Sequence, residues 1–181
     1  MTIEEPKFTL ALQEGVFELR DYARRIVAEV TVRGDFRAAG QNGFRQLAAY
    51  IFGANSSGRK IAMTAPVTRI AATAPEAQGL EDPDWLVRFA LPSSFALSAL
   101  PRPTDPSVML RDLPPDRFAV LCFSGMGGAV QVREETAKLL ATAKARGLVS
   151  IGPVSVASYS PPWTPWFLRR NEVMLPVVSG A

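Results

Sequence analysis

Two periodicities run through this chain. At 26–30 (Ile-Val-Ala-Glu-Val) and 85–89 (Trp-Leu-Val-Arg-Phe), neighbouring residues belong to opposite faces, the period-two pattern of strands. Similar short runs predict strands at 17–20, 26–32, 66–71 and 84–91, and again at 108–111, 117–123, 154–159 and 172–178. Between them the spacing lengthens. Phe36, Ala39, Gly43, Leu47 and Tyr50 fall on one stripe, widened by Phe44, Ala48 and Ile51, which predicts a helix over 35–52. Asp35 can accept bonds from its free first-turn N–H groups, and Gly53 suits its end. A second helix is expected over 129–146, ending at Gly147, with Val132, Thr136, Leu139, Leu140 and Ala143 inward. Short turns between strands argue for antiparallel pairing.

The elements come in one order twice. Leu19-Arg20-Asp21 recurs as Leu110-Arg111-Asp112, and each is followed by an arginine and an apolar run. A glycine break comes next (Gly34; Gly125, Gly127 and Gly128), then a helix. Each half goes on to a small-residue segment ending in proline (Pro66, Pro161) and a strand ending Leu-Pro, at 91–92 and 175–176. The expectation is one α+β domain over 1–181, made of repeat halves at about 16–92 and 108–178. Neither half can bury its sheet alone. The connections at 53–58, 72–83 and 98–107 read as loops, the last linking the halves through Pro101, Pro103 and Pro106.

Composition narrows the chemistry. A net charge of +3 without a basic run gives no nucleic-acid stripe, so no such partner is expected. No apolar run approaches the ~18 residues of a membrane helix, and residues 1–10 do not read as a secretory signal. A cytoplasmic monomer is the expectation. The single cysteine, Cys122, excludes an intramolecular disulfide and reads as a small core residue. There is no histidine. That removes Ser-His-Asp and Cys-His catalysis and every histidine-ligated metal. No carboxylate pair suggests acid–base work.

Two stretches stand out. From Tyr159 to Val173 three prolines in five residues (Pro161, Pro162, Pro165) stiffen a loop that carries Trp163, Trp166 and Phe167 and then Arg169 and Arg170. Aromatic faces beside guanidinium forks suit a flat apolar ligand with acid arms. The same residues could instead cap a barrel end, with an arginine paired to Glu172 or Asp21. The second stretch is Arg59-Lys60-Ile61-Ala62-Met63-Thr64-Ala65-Pro66-Val67. Met63 there is either a soft iron ligand or a core gap-filler.

Lys60-Ile61-Ala62-Met63-Thr64-Ala65-Pro66-Val67 resembles the K-I-x-M-T-x-P-V signature of the SOUL haem-binding family. The run from Pro161 to Val173 resembles its carboxy-terminal P-P-x-x-P-x-x-x-R-R-N-E block, and Tyr22 with Arg20 and Arg24 resembles its opening strand. The resemblance implies two β-α-β-β repeats with pseudo-two-fold symmetry, forming a distorted eight-stranded antiparallel barrel flanked by two long helices. It implies non-catalytic binding or transport of haem or another tetrapyrrole in a shallow apolar groove beside the first helix. The expected contacts are Phe44, Arg45, Leu47, Ala48, Ile51, Lys60, Met63, Trp163, Trp166, Phe167 and Arg169. Arg45, Lys60 and Arg169 would meet propionates; no metal ion held directly by the protein is expected, Met63 being the one weak candidate. The alternatives are a haem-degrading or tetrapyrrole-modifying enzyme, or a small-molecule effector-binding module of the kind found in bacterial regulators. The cleft of such modules holds a buried carboxylate, which the sequence does not place.

Overall fold

The computed structural model describes residues 3–72 and 83–180. The 72–83 connection therefore lies almost wholly outside the described residues. Ten strands and two helices follow in order: β1 (Phe8–Glu14), β2 (Phe17–Tyr22), β3 (Arg25–Arg33), α1 (Phe36–Ile51), β4 (Val67–Ala71), β5 (Asp84–Ala90), β6 (Met109–Leu113), β7 (Asp116–Phe123), α2 (Ala129–Ala145), β8 (Leu148–Ser150), β9 (Ser155–Ser158) and β10 (Asn171–Ser179). Eight of the strands are those of the two expected repeats. The edge strand β1 and the three-residue β8 add to them. All pairings between strands are antiparallel.

The strands form one curled sheet in the order β1-β2-β7-β10-β9-β4-β5-β3-β6, with β8 alongside β10. Without β1 the order reads the same from both ends once each strand is exchanged for its repeat equivalent. The pseudo-two-fold axis passes between β4 and β9, where Thr68 lies opposite Ala157. Each repeat gives its first strand away: β2 pairs with β7 of the other repeat, and β6 pairs with β3.

Alternation along the strands then gives the sheet two different faces. One face carries the helices. Ala28, Val30, Val87 and Phe89 pack on Ala39, Leu47, Tyr50 and Ile51 of α1. Ala119, Leu121, Val173, Leu175 and Val177 pack on Val132, Leu139 and Ala143 of α2. Leu140, expected inward, is exposed, because the stripe that meets the sheet is narrower on α2. Asp35 caps α1 by accepting from the Arg37 and Ala38 N–H groups at 2.9 and 2.8 Å. Gly147, at φ +67°, follows α2 in a conformation that glycine takes without strain. No helix among the described residues is long and apolar enough to cross a membrane.

Candidate functional site

Thr64 donates to the Ala90 carbonyl, and the Ala65 N–H to the Glu4 carbonyl at 2.9 Å, which fixes the segment that leads into β4. Buried Ile61 donates its N–H to Ile51 at 2.8 Å. Lys60 and Met63 are left facing outward. Buried Asn55 orders the turn before them, donating to the Tyr50 and Arg59 carbonyls and accepting from the Ser57 and Arg59 N–H groups.

Val67 lies opposite Ser158, so residues 60–66 and 159–170 leave the sheet at the same end. The second of these segments is a built loop. Thr164 donates its N–H to Pro161 at 3.0 Å, and Leu168 to Pro165 at 2.9 Å, closing one tight turn at Trp166–Leu168. Arg169 lies across the loop, with Nε on the Thr164 carbonyl at 2.8 Å and Nη2 on the Pro162 carbonyl at 2.6 Å. Nε and Nη2 are thus tied to the loop's own backbone, where they hold its shape, while Nη1 faces Met126 Sδ at 3.8 Å. The loop's aromatics do not cap the barrel. Trp163 is 83% exposed, Trp166 60% and Phe167 58%, with the last two edge-to-face at 5.7 Å. Their exposure is unusual for residues of this size.

Of the expected residues on α1, Leu47 and Ile51 are sealed against the sheet and offer no surface. Ala48 is buried as well. Phe44 is exposed and leans on Phe89, with ring centroids 5.6 Å apart; Arg45 points to solvent. An apolar stripe that meets a sheet and one that meets a ligand look alike in sequence, so periodicity alone does not separate the two kinds.

Sequence reasoning missed Arg69. It sits on β4 on the helix side, with its guanidinium 3.8 Å from the centre of the Phe36 ring. It donates to the Phe36 carbonyl at 3.2 Å and to Ser158 Oγ at 3.4 Å. Among the described residues no carboxylate pairs with it. Burial lowers its pKa to about 10, so it still carries its charge at neutral pH. A Cβ on Gly40 would lie 3.1 Å from Nη1, which places this cation directly under α1.

The pairing of an arginine with Glu172, expected as the alternative, is present with Arg170; what the sequence does not show is how deeply carboxylates are buried on the face turned away from the helices. Glu172 is fully buried. It accepts from Arg20 at 2.9 and 3.0 Å, from Arg170 at 2.9 and 3.1 Å and from the Tyr159 hydroxyl at 2.8 Å. Burial alone would push its carboxyl up; these donors outweigh burial and hold it below the ordinary value. Asn171 donates to the Gly125 carbonyl at 3.0 Å. The Arg170-Asn171-Glu172 part of the carboxy-terminal block therefore holds strands and loops together. Burial and the nearby Glu172 raise the Cys122 thiol to about 11, which leaves it protonated at neutral pH. Across the sheet Glu29 is paired with both Arg88 and Arg111.

The profile of the family described as SOUL heme-binding protein matches residues 3–176. Human heme-binding protein 2 is 30% identical over 165 residues, covering 90% of this chain and 78% of that protein. The mouse protein of the same name is 27% identical over 169 residues, covering 88% and 81%. The C-terminal domain of EcmrR shares the fold at a TM-score of 0.66 with 11% identity, over 95% of this chain and 98% of that one.

Proposed function

Because the chain belongs to the SOUL haem-binding protein family, we propose that it binds haem or a related tetrapyrrole on the helix side of the sheet, as a carrier and not as a catalyst. The observation that carries this reading is the proline-stiffened loop with Trp163, Trp166 and Phe167 held outward. A scaffold built to keep three large aromatics in water fits a flat apolar ligand. Gly40 and Phe44 lie four residues apart on one stripe of α1, on the side where Gly40 meets Arg69. The ring would lie between that stripe and the loop, near Met63. Arg69 would receive a propionate; Lys60 and Arg45 would act at the rim. With no histidine in the chain, the soft side chains offered to bound iron would be Met63 and Met126, the latter exposed with its sulfur 3.8 Å from Arg169 Nη1. When bound, the tetrapyrrole supplies its own redox and ligand chemistry; the residues named hold and orient it.

Covering a porphyrin face of about 200–300 Å² would contribute roughly 5–7 kcal/mol at ~25 cal/mol per Å². Association offsets much of this, so micromolar affinity is expected. The test is titration with hemin and protoporphyrin IX, followed by the Soret band. Trp163→Ala with Trp166→Ala should weaken both about tenfold. Arg69→Gln should weaken hemin about tenfold but leave protoporphyrin dimethyl ester unchanged, since only the free acid can use the guanidinium. If neither ligand binds the unmodified chain below about 100 μM, roughly −5.5 kcal/mol, the reading fails.

A further inference from the structure

On the sheet face turned away from α1 and α2, a cleft of about 310 Å³ straddles the pseudo-two-fold axis. Its walls include Tyr22, Phe118, Tyr159, Met174, Ile70 and Leu86. The volume is at the lower end of those that take small organic ligands, and a tetrapyrrole is larger. The cleft is thus separate, by face and by size, from the surface proposed for haem.

Its charge is one-sided, and the strand register shows why. Arg88 on β5 lies opposite Thr68 on β4, Thr68 opposite Ala157 on β9, and Ala157 opposite Glu172 on β10. Arg88 and Glu172 therefore hold equivalent places on either side of the axis, with opposite charges. Glu172 is sealed beneath Arg20, Arg170 and Tyr159 and is not part of the cleft wall. Arg88 is part of it. It binds Glu29 through Nε at 3.0 Å and Nη2 at 2.7 Å, and neither bond uses Nη1. Glu29 also serves Arg111, so one carboxylate faces two guanidiniums and one positive charge is left over. The other charged group of the wall, Arg25, is neutralised by a two-point pair with Asp116 at 2.7 and 3.0 Å. The walls thus offer aromatic rings and an arginine with spare donors, while the Tyr22 and Tyr159 hydroxyls are held by Arg20 and Glu172; among the described residues the walls present no carboxylate.

We propose that this inner cleft binds a small aromatic carboxylate or sulfonate, with its acid group at Arg88 and its ring system between Tyr22, Phe118 and Tyr159. A planar fork suits a carboxylate, and a half-enclosed apolar wall strengthens the pair by excluding water.

The probe is 8-anilinonaphthalene-1-sulfonate, an aromatic anion that fluoresces in apolar surroundings, with 2-naphthoate as competitor. The unmodified chain should bind the dye at micromolar concentration and release it to 2-naphthoate. Tetraphenylphosphonium, an apolar cation, should displace none of it. Arg88→Gln, which removes the charge, and Thr68→Trp, which fills the cleft, should each weaken the dye at least tenfold. Trp163→Ala with Trp166→Ala should change its affinity less than twofold, which keeps this result distinct from failure of the haem reading. Displacement by the cation as readily as by 2-naphthoate overturns the proposal. So does unchanged affinity in both cleft variants, or loss of the dye in the loop variant. The comparison of anion with cation is made on the unmodified chain and holds whether or not a variant folds.

Discussion

Replacing Glu172 with glutamine tests the physics of the buried network. The substitution keeps the side chain's shape and removes one charge. In the native chain the carboxylate is fully buried and takes five hydrogen bonds from Arg20, Arg170 and Tyr159. Arg20 is itself 1% exposed, and Glu18, at 2.6 Å from Nε, is its other acidic partner. Glu172→Gln thus leaves a buried guanidinium without its main counter-charge, a loss of about 3–5 kcal/mol. For a chain of this length that lowers Tm by roughly 6–20 °C. Urea unfolding should show a lower midpoint at unchanged slope. The effect also has a sign in pH. The folded pKa of Glu172 lies below its ordinary value of 4.5, so the carboxylate's contribution is complete above about that pH. It is lost as the pH falls through the lower folded value. The variant has no such titration, so the gap between the two proteins should be widest near neutrality and close in acid. A deficit under about 1 kcal/mol at pH 7, or one that persists undiminished below pH 3, would refute the argument.

Two further outcomes follow from the packing. Gly43→Ala adds a Cβ that would lie 2.4 Å from Val87 Cγ2 in the contact between α1 and β5. Overpacking should outweigh the better helix propensity of alanine and leave a net loss of about 1–2 kcal/mol; a Tm equal to or above the native one would contradict this. Cys122, with its thiol raised to about 11, has a thiolate fraction of about 0.001 at pH 8, against roughly a quarter for an ordinary cysteine. Iodoacetamide should therefore alkylate it at least about tenfold more slowly than glutathione, because the scarcity of thiolate outweighs the greater nucleophilicity of a high-pKa thiolate; equal rates would show that the thiol is not suppressed.

The repeat elements were legible to within a residue or two because each has one face in a core, so that burial writes a period into the sequence. The helix expected over 35–52 spans Phe36–Ile51, and the strand expected over 84–91 spans Asp84–Ala90. β1 was not legible: as an edge strand it is almost entirely exposed and carries no inside–outside contrast. β8, at three residues, is too short to show a period. For the candidate site, the prolines announced a loop, but the outward set of Trp163, Trp166 and Phe167 depends on Arg169 gripping the Pro162 and Thr164 carbonyls. Arg69 and Glu29 could not be placed, and Glu172 only as an arginine's partner and not as a buried group, because their surroundings are made across strands. Arg20 and Glu172, 152 positions apart, meet only through the register of β2, β7 and β10.

The exchanged first strands bear on what a single covalent chain makes possible. Two separate half-length copies could, in principle, build the same palindromic sheet by trading β2 for β6, but identical copies would have to put the same residue on both sides of the axis. Both places would then hold arginine, or both glutamate, and like charges would face each other across the strands β4 and β9. Joining the halves frees the two places to differ. One has become the sealed carboxylate that binds strands together, and the other the arginine that looks into the cleft. A single chain can therefore give one palindromic sheet two chemically different sides.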